Sequence, residues 1–353
     1  MPLDKIAVLG LGKVGTLAAR LLHDGGFDVT GFDSRAPHHA VPYAVRTTNL
    51  ESDEGVAAAT KGFDAVLSCL PYRINKRVAA AAHARGMHYF DLTEDVPTTK
   101  AIIELAKTSR ALMAPQCGLA PGFVGIVGAA QVAAFEKCRS LRLRVGALPQ
   151  HPTGLMGYAF NWSPEGVVNE YLNDCEVIED GVRKTVSSME WNETIYVDGV
   201  QLEAFTTSGG LGTICETFHG KVANVDYKTM RYPGHMRLMN FFFHELLMRE
   251  RRDLAGEILT NAKPPVNDDI VYVHVSSEGM LDARLQRREF VRAYRPIELA
   301  GGMQTAIAWT TAGSVVTIIA MVRDGALAQR GFLKQEEVPL DKFLATATGR
   351  LFE

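Results

Sequence analysis

Hydrophobic and polar positions along the first 120 residues form blocks typical of buried strands followed by helices. Short apolar runs rich in β-forming residues predict strands, and segments with apolar residues at helical spacing predict helices. The predicted strands are 5–10, 27–32, 63–70, 88–92 and 111–114, and the predicted helices are 16–23, 75–85 and 99–109. This order predicts an α/β domain over residues 1–122, with a Rossmann-type doubly wound parallel sheet.

The pattern changes after about residue 123. A predicted helix at 125–135 precedes alternating strands at 141–147, 194–197, 202–206 and 270–276, with a hairpin turn near Asp198 and Gly199. Alternation predicts a mixed or antiparallel sheet, so we expect residues 123–300 to form an α+β substrate-binding and dimerisation domain. Two C-terminal helices are predicted at 305–322 and 339–344.

Composition and charge exclude several classes of protein. Lys plus Arg is 37 and Asp plus Glu is 40, which gives a net charge of −3 and no bulk attraction for phosphate backbones or anionic lipid. Neither a nucleic acid nor a membrane is therefore an expected partner. No leader-like segment or apolar run of about 20 residues is evident, so a cytoplasmic location is expected.

Cysteine usage argues against a disulfide framework and against a metal site. The chain has five cysteines, an odd number, and none forms a Cys-x-x-Cys pair. Cys215 and His219 are spaced as a possible metal pair on a helix, but no third or fourth ligand accompanies them. We therefore expect no metal.

A glycine-rich turn joins the first predicted strand to the first predicted helix. Gly10 allows the tight turn, Gly12 lets the backbone approach a pyrophosphate, and Gly15 lets helix and strand pack closely. The unpaired N–H groups at the helix start, near Lys13 and Val14, would hold the phosphates. This context predicts dinucleotide binding; the alternative is an α/β domain that has lost its ligand.

Asp33 ends the second predicted strand, 23 residues after Gly10, and Ser34 follows it. A carboxylate there can accept hydrogen bonds from the adenine ribose hydroxyls and would repel a 2′-phosphate, which favours NAD over NADP. Arg35 could instead meet a 2′-phosphate, so NADP is kept as the less favoured cofactor.

Ligands of open parallel sheets bind outside the carboxyl ends of the strands. We therefore expect one edge, around the nicotinamide half of the cofactor, to collect Leu70, Pro71, Tyr72, Asp91, Cys117, Gly118 and Leu119. Asp91 could equally be a helix cap or a turn residue. Cys117 is more simply a small residue in a tight loop.

Several segments resemble those of the saccharopine dehydrogenase-like oxidoreductases. They are residues 10–15, 70–72, 89–92, 117–122 and 227–235. The resemblance implies a nicotinamide-dependent oxidoreductase acting on CH–NH2 or CH–NH donors, a homodimer or homotetramer, and a C-terminal region, 301–353, that returns to the Rossmann domain. Segments 157–163 and 208–213 are most similar to the lysine 6-dehydrogenase branch of the family.

The segment from Arg231 to His235 is the most informative part of the second half. Its Pro-Gly turn keeps Arg231, Tyr232 and His235 off one continuous helix and can aim them into a cleft. Arg231 could clamp a substrate carboxylate through two parallel hydrogen bonds, and His235 could shuttle a proton near neutral pH. With the resemblance, Arg231, Tyr232 and Trp162 are predicted substrate-binding residues, and Asp91 and His235 are catalytic candidates.

The expected reaction is oxidation of the ε-amine of the amino acid L-lysine by NAD. The ammonium, with a pKa of about 10.4, must lose a proton before hydride leaves its carbon, so a base is needed. Asp91 would need a raised pKa for this, whereas His235 would not. Hydrolysis would release ammonia and a semialdehyde that cyclises to 1-piperideine-6-carboxylate. The alternatives are a saccharopine- or carboxynorspermidine-type secondary-amine oxidoreductase and a non-catalytic NAD-sensing protein.

Overall fold

The computed structural model describes residues 3–37 and 39–353. The chain divides into two compact units, each with its own large sheet. Unit 1 comprises Met1–Phe123, Leu299–Gly302 and Ala308–Glu353, and unit 2 comprises Val124–Glu298 and Met303–Ile307.

The strands of the described residues are β1 (Lys5–Leu9), β2 (Asp28–Asp33), β3 (Ala44–Thr47), β4 (Ala65–Ser68), β5 (His88–Asp91), β6 (Leu112–Ala114), β7 (Lys137–Pro149), β8 (Cys175–Glu179), β9 (Val182–Val186), β10 (Glu193–Val197), β11 (Val200–Thr206), β12 (Asn224–Arg231), β13 (Asp269–Leu281), β14 (Arg284–Tyr294), β15 (Ile297–Leu299), β16 (Gly302–Gln304) and β17 (Gly331–Phe332).

The α-helices are α1 (Lys13–Asp24), α2 (Asp53–Ala59), α3 (Tyr72–Arg85), α4 (Val96–Ala106), α5 (Phe123–Ala133), α6 (Pro164–Leu172), α7 (Ile214–Phe218), α8 (His235–Asn240), α9 (Arg252–Ala262), α10 (Ala306–Arg323) and α11 (Leu340–Ala345). Shorter helical turns lie at Phe241–Glu245, Met248–Glu250, Gln335–Glu337 and Gly349–Phe352.

Unit 1 is built on a seven-stranded sheet in the order β17-β6-β5-β4-β1-β2-β3, and all its pairs are parallel. The central strands β4 and β5 are buried along their whole length, as expected for a sheet covered on both faces. The predicted Rossmann-type parallel sheet is confirmed. The edge strands β3 and β17 and helix α2 were not predicted, because β3 is short and largely exposed and β17 has only two residues.

Three helices of unit 1 begin about three residues before their predicted starts. α1 begins at Lys13, α3 at Tyr72 directly after Pro71, and α4 at Val96, where the Asp95 side chain caps the helix by accepting the Thr98 N–H. A single helical turn contains too few residues to show the apolar repeat, so periodicity alone places the start of a helix too late.

Unit 2 contains an eight-stranded mixed sheet in the order β10-β11-β12-β7-β13-β14, with β8 paired to β12 and β9. The β12–β7 pair is parallel and the other pairs are antiparallel. The predicted mixed sheet is therefore confirmed. The predicted hairpin is β10–β11, which turns at Asp198 and Gly199, both with positive φ.

Several elements of unit 2 escaped the sequence analysis: β8, β9, β12, β14, α6 and α9. β14 carries polar and charged residues at most positions and is largely exposed, so it shows no alternation. β7 and β13 each run for 13 residues, well beyond their predicted spans, because their ends are polar while the backbone pairing continues.

Helix α10 is the longest helix, at 18 residues, and is apolar along its length. It is long and apolar enough to pass a test for a membrane span by length and composition alone, yet 78% of it is buried inside the structure. Core helices of folded proteins show the same property, so this one helix is weak support for a membrane span.

Candidate functional site

The glycine turn of unit 1 has the shape that a pyrophosphate requires. Gly10 has a φ of 90°, and a side chain there would meet the Cys69 carbonyl oxygen. A Cβ at Gly15 would overlap the Gly10 carbonyl oxygen, so only glycine lets α1 approach the turn. Gly12 has open space where its Cβ would stand, with no atom within 4 Å.

The start of α1 is open as well. Gly12 is the residue before the helix, no side chain caps it, and the first turn contains no acidic residue. Its N–H groups near Lys13 and Val14 are therefore free of side-chain competition and suited to hold a phosphate. The residues present fit a dinucleotide, which would lie with its phosphates against this turn.

Asp33 lies beside the same turn. Its Oδ2 accepts the Leu11 N–H at 2.6 Å, and its Oδ1 accepts the Arg35 N–H at 3.1 Å and the Ser34 hydroxyl at 3.3 Å. These bonds fix the carboxylate at the end of β2. The Arg35 and Ser34 residues are exposed next to it.

The strand order reverses between β1 and β4, which is the switch point where such sheets bind ligands. At this point Gly10 faces Cys69 and the Leu70 side chain. Pro71 is exposed and Tyr72 is half-buried at the start of α3. The predicted cofactor residues Leu70, Pro71 and Tyr72 thus lie at the carboxyl end of β4, beside the glycine turn.

Asp91 ends β5 and is fully buried. Its Oδ2 accepts the Tyr89 hydroxyl at 2.6 Å, and its Oδ1 accepts the N–H groups of Thr93 at 3.0 Å and Gln116 at 2.9 Å. Burial raises the pKa of this carboxyl to about 6, against the hydrogen bonds that lower it. These contacts join the loops that follow β5 and β6, as the turn-residue alternative for Asp91 predicts.

The loop after β6 is tightly folded. The Phe123 N–H donates to the Gly118 carbonyl at 3.0 Å, and a Cβ at Gly122 would overlap Gly118. Gly118 and Leu119 are buried, as is Cys117, whose thiol donates to the Ala114 carbonyl and meets the Gln335 amide at 3.3 Å. Burial raises the pKa of the Cys117 thiol well above its usual value, so Cys117 is packed as a small, protonated residue.

Arg231 is the centre of a buried polar cluster in unit 2. It ends β12 and is 2% exposed. Its Nε donates to the Tyr171 hydroxyl at 2.8 Å, and its Nη1 donates to Thr229 Oγ1 at 2.5 Å and to the Met230 carbonyl at 2.9 Å. The guanidinium also lies over the Tyr158 ring at 4.6 Å.

These contacts change the predicted clamp. Nε and Nη1 are engaged within the protein, so a carboxylate would meet Nη2 alone instead of a two-nitrogen fork. Within residues 3–37 and 39–353, Nη2 has no hydrogen bond and Arg231 makes no ion pair. Burial acts to lower the pKa of Arg231, but Tyr171, Tyr158 and Glu170 nearby raise it, so the group stays charged.

His235 begins α8 and is fully buried. Its Nε2 lies 3.0 Å from the Tyr171 hydroxyl, and its Nδ1 lies 3.0 Å from the Met156 carbonyl oxygen. Burial, and then the charge of Arg231, lower the pKa of His235 to about 3. Both ring nitrogens are thus used within the protein, which argues against the predicted proton shuttle near neutral pH.

The remaining predicted substrate residues lie in the same cluster of unit 2. Tyr232 is half-buried and donates its hydroxyl to the Pro149 carbonyl at 2.9 Å. Trp162 is half-buried beside the Tyr158 hydroxyl, which is buried without a hydrogen bond of good geometry. The predicted Pro-Gly turn separates β12 from α8, with Gly234 at a φ of 95°.

Sequence reasoning missed two residues that hold this cluster. Glu203 on β11 accepts the N–H groups of Gly234 at 3.0 Å and Met236 at 2.6 Å, which fixes the turn before α8. Tyr171 on α6 joins Arg231 to His235. The only local signal for α6 was Ser163 followed by Pro164, a capping residue and a proline at the first helical position.

The described residues contain neither a metal-binding group of side chains nor a disulfide. Within 3–37 and 39–353, no three His, Cys, Asp or Glu side chains are placed to hold a metal ion. All five cysteines have free thiols.

A parallel sheet with a glycine turn at its switch point defines a Rossmann-type nucleotide-binding protein. The chain belongs to the saccharopine dehydrogenase family, whose members are dehydrogenases acting on amine-bearing carbons. Residues 6–115 match the model of the saccharopine dehydrogenase NADP binding domain, and residues 118–351 match that of the saccharopine dehydrogenase C-terminal domain. The predicted family is confirmed.

One relative carries the same family name. A saccharopine dehydrogenase [NADP(+), L-glutamate-forming] from Pyricularia oryzae is 23% identical over 205 residues, which cover 54% of this chain and 45% of that protein. The match therefore spans about half the length of the curated relative.

Solved structures share the fold. The apo saccharopine dehydrogenase (L-Glu forming) from Saccharomyces cerevisiae superposes with a TM-score of 0.72 at 16% identity, covering 97% of this chain and 96% of that one. DAP dehydrogenase from C. glutamicum, in complex with DAP, gives 0.50 at 11% identity, covering 99% and 98%.

Proposed function

We propose that this protein oxidises the ε-amine of L-lysine with NAD, releasing ammonia and a semialdehyde that cyclises to 1-piperideine-6-carboxylate. The substrate is thus a small amino acid. The family supports an oxidoreductase acting on amine-bearing carbon, and the choice of lysine within it is our inference. A homodimer or homotetramer and a cytoplasmic location remain predictions.

One observation carries the choice of an amino-acid substrate with a single carboxylate. Three cations of unit 2 are buried: Arg144, Lys228 and Arg231. Arg144 is paired with Glu193 and Asp226, and Lys228 is paired with Glu193. Of these three cations, within the described part of the chain, only Arg231 has no carboxylate at ion-pair distance; the buried Glu170 lies near enough to raise its pKa. A buried charge without a directly hydrogen-bonded anion is costly, so we infer that a substrate carboxylate binds at Nη2.

The protein's own groups then have separate tasks. Arg231 holds the carboxylate, the Tyr158 ring packs against the guanidinium, and Trp162 lies beside the Tyr158 hydroxyl. Proton removal from the ε-ammonium needs a base, and Asp91 stays our candidate from the sequence. Its two oxygens already accept hydrogen bonds from Tyr89, Thr93 and Gln116, so one of them would have to exchange its partner for the substrate. A nicotinamide dinucleotide, held by Gly12, the start of α1 and Asp33, supplies the hydride acceptor when bound.

NAD is proposed over NADP because of Asp33. Its carboxylate is fixed by the Leu11 and Arg35 N–H groups at the end of β2, where it would repel a 2′-phosphate. The NADP in the names of the matched domain and of the Pyricularia oryzae relative supports the opposite choice. Kinetics with both cofactors decide between the two.

A saccharopine-type secondary-amine oxidoreductase is the second candidate. The names of the matched family and of both saccharopine dehydrogenases favour it. Saccharopine bears more carboxylates than lysine, so it would need further cations beside Arg231. Among the buried cations of unit 2, the other two are already paired, which favours lysine.

The test is the formation of reduced cofactor, followed by absorbance, with L-lysine and NAD. Ornithine, saccharopine and NADP serve as matched alternatives. Turnover of lysine with NAD and release of ammonia is the expected result. Turnover of saccharopine alone would overturn the choice of lysine, a preference for NADP would overturn the choice of NAD, and NAD binding without turnover of any amine would support a sensor.

A further inference from the structure

Tyr171 is a buried tyrosine of unit 2 near the end of α6. Its ring packs edge-on against Phe205 and Phe243, with centroids 5.9 Å and 6.3 Å away. The start of α6 is fixed by the Ser163 hydroxyl, which accepts the Gly166 N–H at 3.0 Å. The ring contacts fix the phenol and the cap fixes the start of its helix, so the Tyr171 hydroxyl has a defined position.

The direction of every hydrogen bond through this hydroxyl follows from the donors available. An arginine only donates, so the Tyr171 oxygen accepts from Arg231 Nε at 2.8 Å. The phenolic proton is then given to His235 Nε2 at 3.0 Å. A carbonyl only accepts, so His235 donates its Nδ1–H to Met156 at 3.0 Å. Both hydrogen bonds therefore require the same tautomer of His235, with the proton on Nδ1.

Charge supports the same arrangement. A protonated imidazole would place a second buried cation beside Arg231, with Tyr158, Tyr171 and Phe205 rings around it. A neutral ring avoids this repulsion and keeps Nε2 as the acceptor that the Tyr171 hydroxyl needs. His235 is thus an anchor for the segment at Met156.

The same bond sets the plane of the Arg231 guanidinium. Tyr171 takes Nε, while Thr229 and the Met230 carbonyl take Nη1. Rotation of the guanidinium would break all three hydrogen bonds, so Nη2 points in one direction. A substrate carboxylate therefore meets a preoriented donor, which lowers the entropic cost of binding.

The geometry points to Tyr171 as a positioning residue, which orients Arg231 for the carboxylate of the substrate and holds His235 as the neutral Nδ1–H tautomer. This inference rests on the proposed function, because the carboxylate belongs to the proposed amino-acid substrate. It also reassigns His235 from proton transfer to support.

The kinetic test uses Tyr171→Phe in the full chain, which keeps the ring and removes the hydroxyl. Loss of a hydrogen bond to a charged group is expected to raise the KM for lysine by about ten- to one-hundredfold, with kcat changed far less and the KM for NAD unchanged. Tyr294→Phe is the matched control, since Tyr294 is also buried in unit 2 and its electrostatic contact is with Arg292, away from the cluster. An unchanged KM for lysine in Tyr171→Phe would overturn the proposal.

A spectroscopic test needs no turnover and separates this proposal from the proposed function. The ¹⁵N signals of the His235 ring are assigned as those that disappear in His235→Asn. From about pH 5 to pH 8 they should show a proton on Nδ1 and none on Nε2. An ordinary histidine, with a pKa of about 6.5, would titrate within this range. In Tyr171→Phe the Nε2 shift should move, because its donor is lost. A wild-type His235 that titrates in this range, or that carries its proton on Nε2, contradicts the assignment even if lysine is no substrate.

Discussion

The candidate sites of the two units differ in whether backbone or side chains form them. In unit 1 the candidate cofactor site is made of backbone: a glycine turn, a helix start and the ends of parallel strands. In unit 2 the candidate substrate site is made of buried side chains from β12, α6 and α8 that hold one another through hydrogen bonds. A backbone site depends on the space each glycine leaves, whereas a side-chain site depends on partners far apart in sequence.

The largest expected effect concerns the backbone site. Gly15→Ala should abolish measurable NAD binding and lower the free energy of unfolding by about 1–3 kcal/mol, because the new Cβ would overlap the Gly10 carbonyl oxygen. Isothermal titration with NAD and urea unfolding measure the two effects.

Gly12→Ala is the matched control, since its Cβ has open space. It should keep its stability within about 0.5 kcal/mol, as exposed positions usually do. NAD binding should still weaken about tenfold or more, the change that about 1.4 kcal/mol produces. If Gly12→Ala binds NAD as the wild type does, the pyrophosphate does not lie against this turn.

Sequence predicts unit 1 better than unit 2 for the same physical reason. Glycine spacing and apolar strands buried on both faces are local patterns. A stretch of about 30 residues therefore suffices to predict β1, the glycine turn, α1 and Asp33. The edge strand β3 lacks such a pattern because one of its edges faces no strand and its residues are largely exposed.

Only part of the unit 2 cluster can be predicted from local sequence. The Pro-Gly turn at 233–234 correctly separates Arg231 from His235, since proline and glycine act locally. Tyr171, by contrast, is 60 residues from Arg231 in sequence, and the sequence around position 171 does not predict the contact with Arg231. The two-nitrogen clamp stays a prediction that the structure disfavours, because the bonds that occupy Nε and Nη1 appear only in the fold.

An intermediate effect is expected in the side-chain site. Arg231→Ala should raise the KM for the amino-acid substrate by about ten- to one-hundredfold, the cost of a lost charged hydrogen bond. The affinity for NAD should not change, because the cofactor residues are in unit 1. Arg237→Ala, on the exposed side of α8, is the control. Equal KM values in both variants would dismiss Arg231 as the carboxylate ligand.

The smallest expected effect is on pH dependence, where the units should respond in opposite directions. The pKa of Asp91 in unit 1 is raised from 3.8 to about 6, so its stabilising contribution is present below pH 3.8 and is lost as pH rises through 6. The pKa of His235 in unit 2 is lowered from 6.5 to about 3, so its contribution is present above pH 6.5 and is lost as pH falls toward 3.

Asp91→Asn isolates the first of these contributions. An asparagine can keep the three hydrogen bonds, with its oxygen accepting from Thr93 and Gln116 and its amide donating to Tyr89, while it removes the titrating group. Relative to wild type, the variant should gain about 2 kcal/mol in unfolding free energy between about pH 4.5 and pH 7. Turnover should fall while NAD binding persists. A constant stability difference would mean that Asp91 does not titrate in this window, and unchanged turnover would leave Asp91 as a loop-organising residue alone.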